Sequence, residues 1–236
     1  MKEKTDLSSV KRVLKMFLYM PVCETAMFPL FVQHPIFETG EIYIDGEKTD
    51  ITQLQGFNRA AKNIEKTIDE MQDVRVCAKI LRQPYCLTFL KYIKKYLSLH
   101  DFSVLLSQCW TKEENPNGDV NVSSSLAAKW FREADKRALM SSKEYLIFSE
   151  LPEFIIVYRG VSQGRNPKGM SWTRDHKKAE WYANRFGVGY VLKGIAEKKD
   201  ILAFFLRTGE EEIIIASKNV KEKETLDQKI FNNRKE

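Results

Sequence analysis

Residues 153–217 leave this chain few folds to choose from. Five short runs rich in β-branched and aromatic residues follow one another there: EFIIVYRG (153–160), GMSWT (169–173), YVLKGIA (190–196), ILAFFL (201–206) and EEIIIAS (211–217). Such runs, bounded by turn residues, read as strands. One helical pattern interrupts them. Ala179, Tyr182, Ala183 and Phe186 recur at i, i+3, i+4 and i+7, with Thr173 as candidate cap, Asp175 in the first turn, and Gly187 and Gly189 at the end. The expected product is a mostly β module.

Before Leu151-Pro152 the pattern is different. Val10, Val13, Leu14, Phe17 and Leu18 fall at helical spacing from Ser8 or Ser9 until Pro21. Residues 28–44 read as extended, and Asp45-Gly46 as a turn. Leu54, Phe57, Ala61, Ile64, Ile68 and Met71 predict a long helix, and further helices fit 74–81, 84–98 and 101–109. The stretch TKEENPNGDVNVS is a loop by its Asn, Pro and Gly content. Ser123 or Ser124 then opens a helix carrying Trp130 and Phe131, and Ser141-x-x-Glu144 forms a capping box for another. The fold class is therefore α+β. A mostly helical region spans 1–150, a β-rich core 151–220, and a charged loose or helical tail 221–236.

Several chemistries are excluded. Cys23, Cys77, Cys86 and Cys109 are scattered with no C-x-x-C pair, and read as small buried thiols of a reducing compartment. His34, His100 and His176 are equally isolated, so no metal spacing is present. Neither G-x-G-x-x-G nor G-K-[ST] occurs, which sets aside Rossmann dehydrogenases and P-loop NTPases. No apolar run reaches membrane-spanning length. Near the N-terminus, VLKMFLYMPV contains Lys15, meets Pro21 early and lacks a small-x-small cleavage site. A cytoplasmic protein without a membrane partner is expected. Charge is concentrated: residues 159–207 hold 11 Lys/Arg against 4 Asp/Glu, a net of +7 within a chain whose net is +6. That segment should draw anions.

Three motifs stand in order in the β-rich part. Tyr158-Arg159-Gly160 ends one strand, Ser171-Trp172-Thr173 ends the next, and Glu210-Glu211-Glu212 heads the last. Over about residues 151–220 this resembles the mono-ADP-ribosyltransferase superfamily, in its R-S-E branch. That branch carries an Arg on its first core strand, an S-x-[ST] strand and an E-x-E at a later one. The resemblance implies an NAD-dependent transferase of the pentosyl type, with NAD as substrate and no metal. It places Arg159, Gly160, Ser171 and Thr173 at NAD, Glu212 on the ribose, and Glu210 at the acceptor. Ser171 would hydrogen-bond the Glu212 carboxylate, while Thr173 serves either the same edge or the helix cap.

The residue types suit that chemistry. Cleaving the glycosidic bond of NAD leaves an oxocarbenium-like ribose, much as in glycoside hydrolysis. A site for it needs a cation for the phosphates and an anion beside the developing positive charge. Guanidinium binds phosphate by paired hydrogen bonds, which suits Arg159. In a strand Glu210 and Glu212 share a face and Glu211 takes the other, as a solvated or paired passenger. E-x-E implies arginine of a target protein as the default acceptor. RNA or DNA, water (an NAD glycohydrolase) and a non-catalytic nucleotide-binding module are the alternatives. Trp172, Trp181, Tyr182 and Phe186 are candidates for a ring against nicotinamide, with Tyr182 and Phe186 better placed as core. Only Leu206, Arg207, Thr208 and Gly209 separate ILAFF from Glu210, so the acceptor-recognising turn is short.

Overall fold

A computed structural model describes residues 2–28, 30–206 and 209–226. The chain divides into two compact units, 1–122 and 123–236. The division falls at Val122, upstream of the expected boundary at 150, because the helices after Ser123 pack on the sheet that follows them.

The first unit is mostly helical. Its elements are α1 (Leu7–Leu18), β1 (Cys23–Glu24), β2 (Val32–Gln33), β3 (Glu41–Ile44), β4 (Glu47–Asp50), α2 (Leu54–Glu70), α3 (Arg75–Ile80), α4 (Cys86–Ile93) and α5 (Leu99–Lys112). Helix α1 starts earlier than its serines indicate, because the Asp6 carboxylate accepts from Ser9 N and caps it. Asp45 and Gly46 both have positive φ, 53° and 82°, the backbone that a two-residue hairpin requires. They join β3 to β4, a polar strand (EKTD) that carries no apolar alternation. Helix α5 outruns its expected end and takes the first two residues of the predicted loop.

Helix α4 has no capping side chain of its own. Glu113 supplies one from beyond α5: its buried Oε1 accepts from Cys86 N at 2.9 Å. Burial pushes this carboxyl up to about 7, against the pull of the backbone N–H groups of Cys86 and Leu87. His34 is wholly buried and structural. Its Nδ1 accepts from Ile36 N and Phe37 N, and burial pulls its pKa down to about 4. Cys77, Cys86 and Cys109 are buried as expected, whereas Cys23 is exposed.

The second unit holds α6 (Ser124–Glu133), α7 (Lys136–Leu139), α8 (Ser142–Glu150), β5 (Phe154–Val161), β6 (Ser171–Thr173), α9 (His176–Asn184), β7 (Tyr190–Glu197), β8 (Ile201–Phe205), β9 (Glu212–Ile215) and β10 (Lys221–Leu226). Ser123 caps α6, and Ser141 with Glu144 forms the full capping box of α8. Glu144 also accepts from Leu206 N at 2.8 Å, tying α8 to the end of β8. The expected loose or helical tail is corrected over 221–226. KEKETL pairs antiparallel with β7 as an edge strand, and its Lys and Glu side chains are the charges that keep an edge from recruiting other chains. The rest of that tail, 227–236, lies outside the described residues, as do Arg207 and Thr208 of the short turn.

The sheet order is β10-β7-β5-β6-β9-β8, antiparallel throughout. The β5–β7 pairing is long, from Phe154–Glu197 to Val161–Tyr190, but β5 meets β6 only at Tyr158–Thr173. The six strands are thus two three-stranded halves joined at one residue pair. Trp172, Phe204, Phe205, Ile213, Ile214 and Ile215 fill the core of the second half. Helix α9 covers the first half, with Ala179 and Ala183 fully buried beside Val191.

Candidate active site

The seam between the two halves gathers the three motifs. Tyr158 on β5 is paired with Thr173 on β6, and Thr173 with Glu212 on β9. These residues form one cross-strand row, although they span 158 to 212 in sequence. Ser171 is paired with Ile214, so Thr173 and not Ser171 stands directly opposite Glu212. Ser171 is the diagonal neighbour of Glu212, at a Cα spacing of about 7–8 Å that a Glu side chain spans.

Arg159 bridges the seam. Its Nη1 donates to Ser171 O at 2.6 Å and its Nη2 to Asn166 O at 2.9 Å, so the guanidinium grips both β6 and the loop before it. Gly169 makes room for this: a Cβ there would stand 2.1 Å from Nη2. The Nε–H is enclosed and has no hydrogen-bond partner. Burial pulls the guanidinium down to about 10, with the Glu212 carboxylate opposing that fall. It remains a cation at neutral pH, electrostatically coupled to Glu212 across the seam.

Two of the expected site residues also have structural roles here. Gly160 packs against α9. A Cβ on it would lie 2.1 Å from Ala179 O and 2.6 Å from Ala183 N, so its missing side chain is what lets the helix lie on β5. Thr173 is buried, and its Oγ1 accepts from Asp175 N at 3.0 Å. Thr173 therefore shapes the turn, and Asp175 is the cap of α9, accepting from Lys177 N and Lys178 N.

The three glutamates separate, Glu210 and Glu211 lying before β9 and Glu212 at its start. Glu211 pairs with Arg174 at 3.5 Å, both partly exposed. Glu210 turns towards α9: the Tyr182 hydroxyl donates to its Oε1 at 2.5 Å, and Lys178 Nζ stands 3.3 Å away. Burial, then the Glu210 and Glu212 carboxylates, push the Tyr182 phenol above its usual value, so it stays a proton donor. Tyr182 is thus a polar link and not simply core. Phe186, also expected in the core, is 48% exposed, because α9 ends at Asn184 and Phe186 lies beyond it. Trp172 is buried with its indole N–H on Gly169 O, so of the four candidate rings Trp181 and Phe186 face solvent.

No protein-family model, curated protein or solved structure matches this chain. Among the described residues no group of His, Cys, Asp and Glu could hold a metal ion, and no helix is long and apolar enough to cross a membrane.

Proposed function

We propose that the second unit is an NAD-dependent ADP-ribosyltransferase acting on a macromolecular acceptor. The observation that carries this reading is the seam. Arg159, Ser171 and Glu212 lie on three laterally adjacent strands, β5, β6 and β9, and meet where the sheet is joined by one residue pair. A guanidinium and a carboxylate at a shared strand junction suit a substrate that is anionic at its phosphates and turns cationic at its ribose.

The residues fit NAD in one further respect. A buried N–H without a partner is costly, commonly about 1–3 kcal/mol, and calls for an explanation. The Nε–H of Arg159 is such a donor, and an anion reaching the guanidinium would relieve it. When bound, NAD supplies the bond to be broken, between ribose C1′ and the nicotinamide nitrogen, whose electron pair leaves with nicotinamide. Arg159 would hold phosphate, Glu212 would hold negative charge beside the ribose, and Ser171 would orient that carboxylate. Glu210 would face the acceptor, within the frame set by Tyr182 and Lys178.

The test is to incubate the protein with NAD labelled in the adenylate part and separate products by size. Label carried by a polymer, with one nicotinamide released per label, is the expected result. Intact NAD after prolonged incubation with cell lysate would defeat the reading. Free ADP-ribose without labelled polymer would replace transfer by hydrolysis.

A further inference from the structure

A strip of exposed rings and cations begins at Glu210 and crosses the outer side of α9. Tyr182, bound to Glu210, meets Trp181 edge-on at 4.9 Å. Trp181 is 52% exposed and carries Lys178 Nζ at 5.3 Å and Arg185 at 5.3 Å from its ring centre. Arg185 also lies 4.9 Å from the ring of Phe186, and Arg165 lies 5.1 Å from the same ring. Lys168, Arg174 and Lys177 are exposed nearby in sequence. Two acids lie on this segment: Asp175 caps α9, and Glu180 stands 3.7 Å from His176 Nδ1.

We propose that this strip binds single-stranded nucleic acid, and that a base held there is the ADP-ribose acceptor; the acceptor role rests on the transferase reading above. Cations in a row beside half-exposed aromatic faces are what a flexible polyanion with stackable bases requires. Unpaired bases are needed, because the faces of a duplex are already stacked. The surroundings of Glu210 oppose the arginine acceptor that E-x-E implies. A guanidinium would have to approach a carboxylate already 3.3 Å from Lys178, next to a Glu211 that pairs with Arg174. Like charges there cost affinity, while phosphates gain it.

The step balances without another reagent. The lone pair of a base nitrogen bearing hydrogen bonds to ribose C1′. The C1′–nicotinamide bond breaks with its pair going to the pyridine ring, which becomes neutral. The proton released from the base nitrogen passes to Glu210 and on to water.

The experiment uses the full chain and 12-nucleotide fluorescent strands of RNA and of DNA, each alone and annealed to its complement. Anisotropy titrations should show single strands binding at least tenfold more tightly than duplex, with affinity falling steeply as salt rises. Replacing both rings, Trp181→Ala with Phe186→Ala, should weaken binding tenfold or more, and Arg185→Glu should do the same while leaving the rings in place. Tyr43→Ala, an exposed ring of the first unit, should change nothing. Circular dichroism checks that each variant is folded. Strands no tighter than duplex, or ring and charge variants that bind like the parent, would overturn the proposal. RNA and DNA arms identify which strand is preferred. Nicotinamide release by the parent, measured alongside, keeps the two claims apart. Release without strand binding sinks the nucleic-acid site alone, whereas strand binding without release from NAD sinks the acceptor role together with the transferase reading.

Discussion

The Tyr182 hydroxyl donates to Glu210 Oε1 at 2.5 Å and so ties helix α9 to the segment entering β9. This bond holds the Glu210 carboxylate in place, while Glu212, two residues on, belongs to the cross-strand row with Thr173. Removing the hydroxyl alone, by Tyr182→Phe, leaves the ring and Lys178 where they are. A hydrogen bond to a charged group contributes about 1.5–3 kcal/mol. Transfer to acceptor should therefore fall by about tenfold or more, with acceptor-free nicotinamide release little changed. Paired rate measurements check this; an equal fall in both rates would make Tyr182 a purely structural tie.

Gly160→Ala tests the packing of α9. Its new Cβ would meet backbone atoms of Ala179 and Ala183, which cannot swing aside as a side chain can. The helix must shift as a body, and a loss of about 3 kcal/mol or more is expected in denaturant titrations. A variant as stable as the parent would show that α9 is not seated on β5 as described.

Arg159 has a structural role and a proposed catalytic one, and two substitutions separate them. Arg159→Ala leaves the carbonyls of Ser171 and Asn166 without their donors, so stability should fall by about 2–4 kcal/mol and activity should vanish. Arg159→Lys keeps the charge, but one ammonium cannot reproduce the planar fork that reaches both carbonyls. Thermal melts should place it between parent and Ala variant, with NAD cleavage reduced at least tenfold.

Glu113 gives the first unit a pH dependence. Burial raises its carboxyl from the ordinary 4.5 to about 7, so the folded chain holds the proton more tightly than the unfolded one. Its contribution to stability is complete below about pH 4.5 and is lost as pH rises through about 7, a swing of about 3 kcal/mol. Glu113→Gln keeps an acceptor for Cys86 N and removes the titration. Unfolding curves at several pH values should show the parent losing stability relative to this variant between pH 4.5 and 7. Parallel profiles would contradict the buried, protonated state.

What could be read in advance follows the range of the interactions involved. Ser123 and Ser141 announce their helices because a cap bonds within three residues of itself. The five strands of 153–217 were legible because each buries β-branched or aromatic residues. Strands β4 and β10 were not, since EKTD and KEKETL are charged edges with no apolar face to betray them. The order of the motifs was visible in the sequence, but the register that sets Glu212 opposite Thr173 is one that no local pattern encodes. Likewise the packing of Gly160 is set by a helix crossing the strand, and the exposure of Phe186 by a helix that stops two residues short of it.

The central claim is that Glu212 stabilises positive charge on the ribose of NAD. The most direct measurement is nicotinamide release from NAD by the parent and by Glu212→Gln, which matches it in shape and lacks only the charge. The account predicts measurable release by the parent and a loss of about a hundredfold or more in the variant, with unchanged melting behaviour. Equal release by both proteins, or none by the parent in the presence of any acceptor, would contradict it.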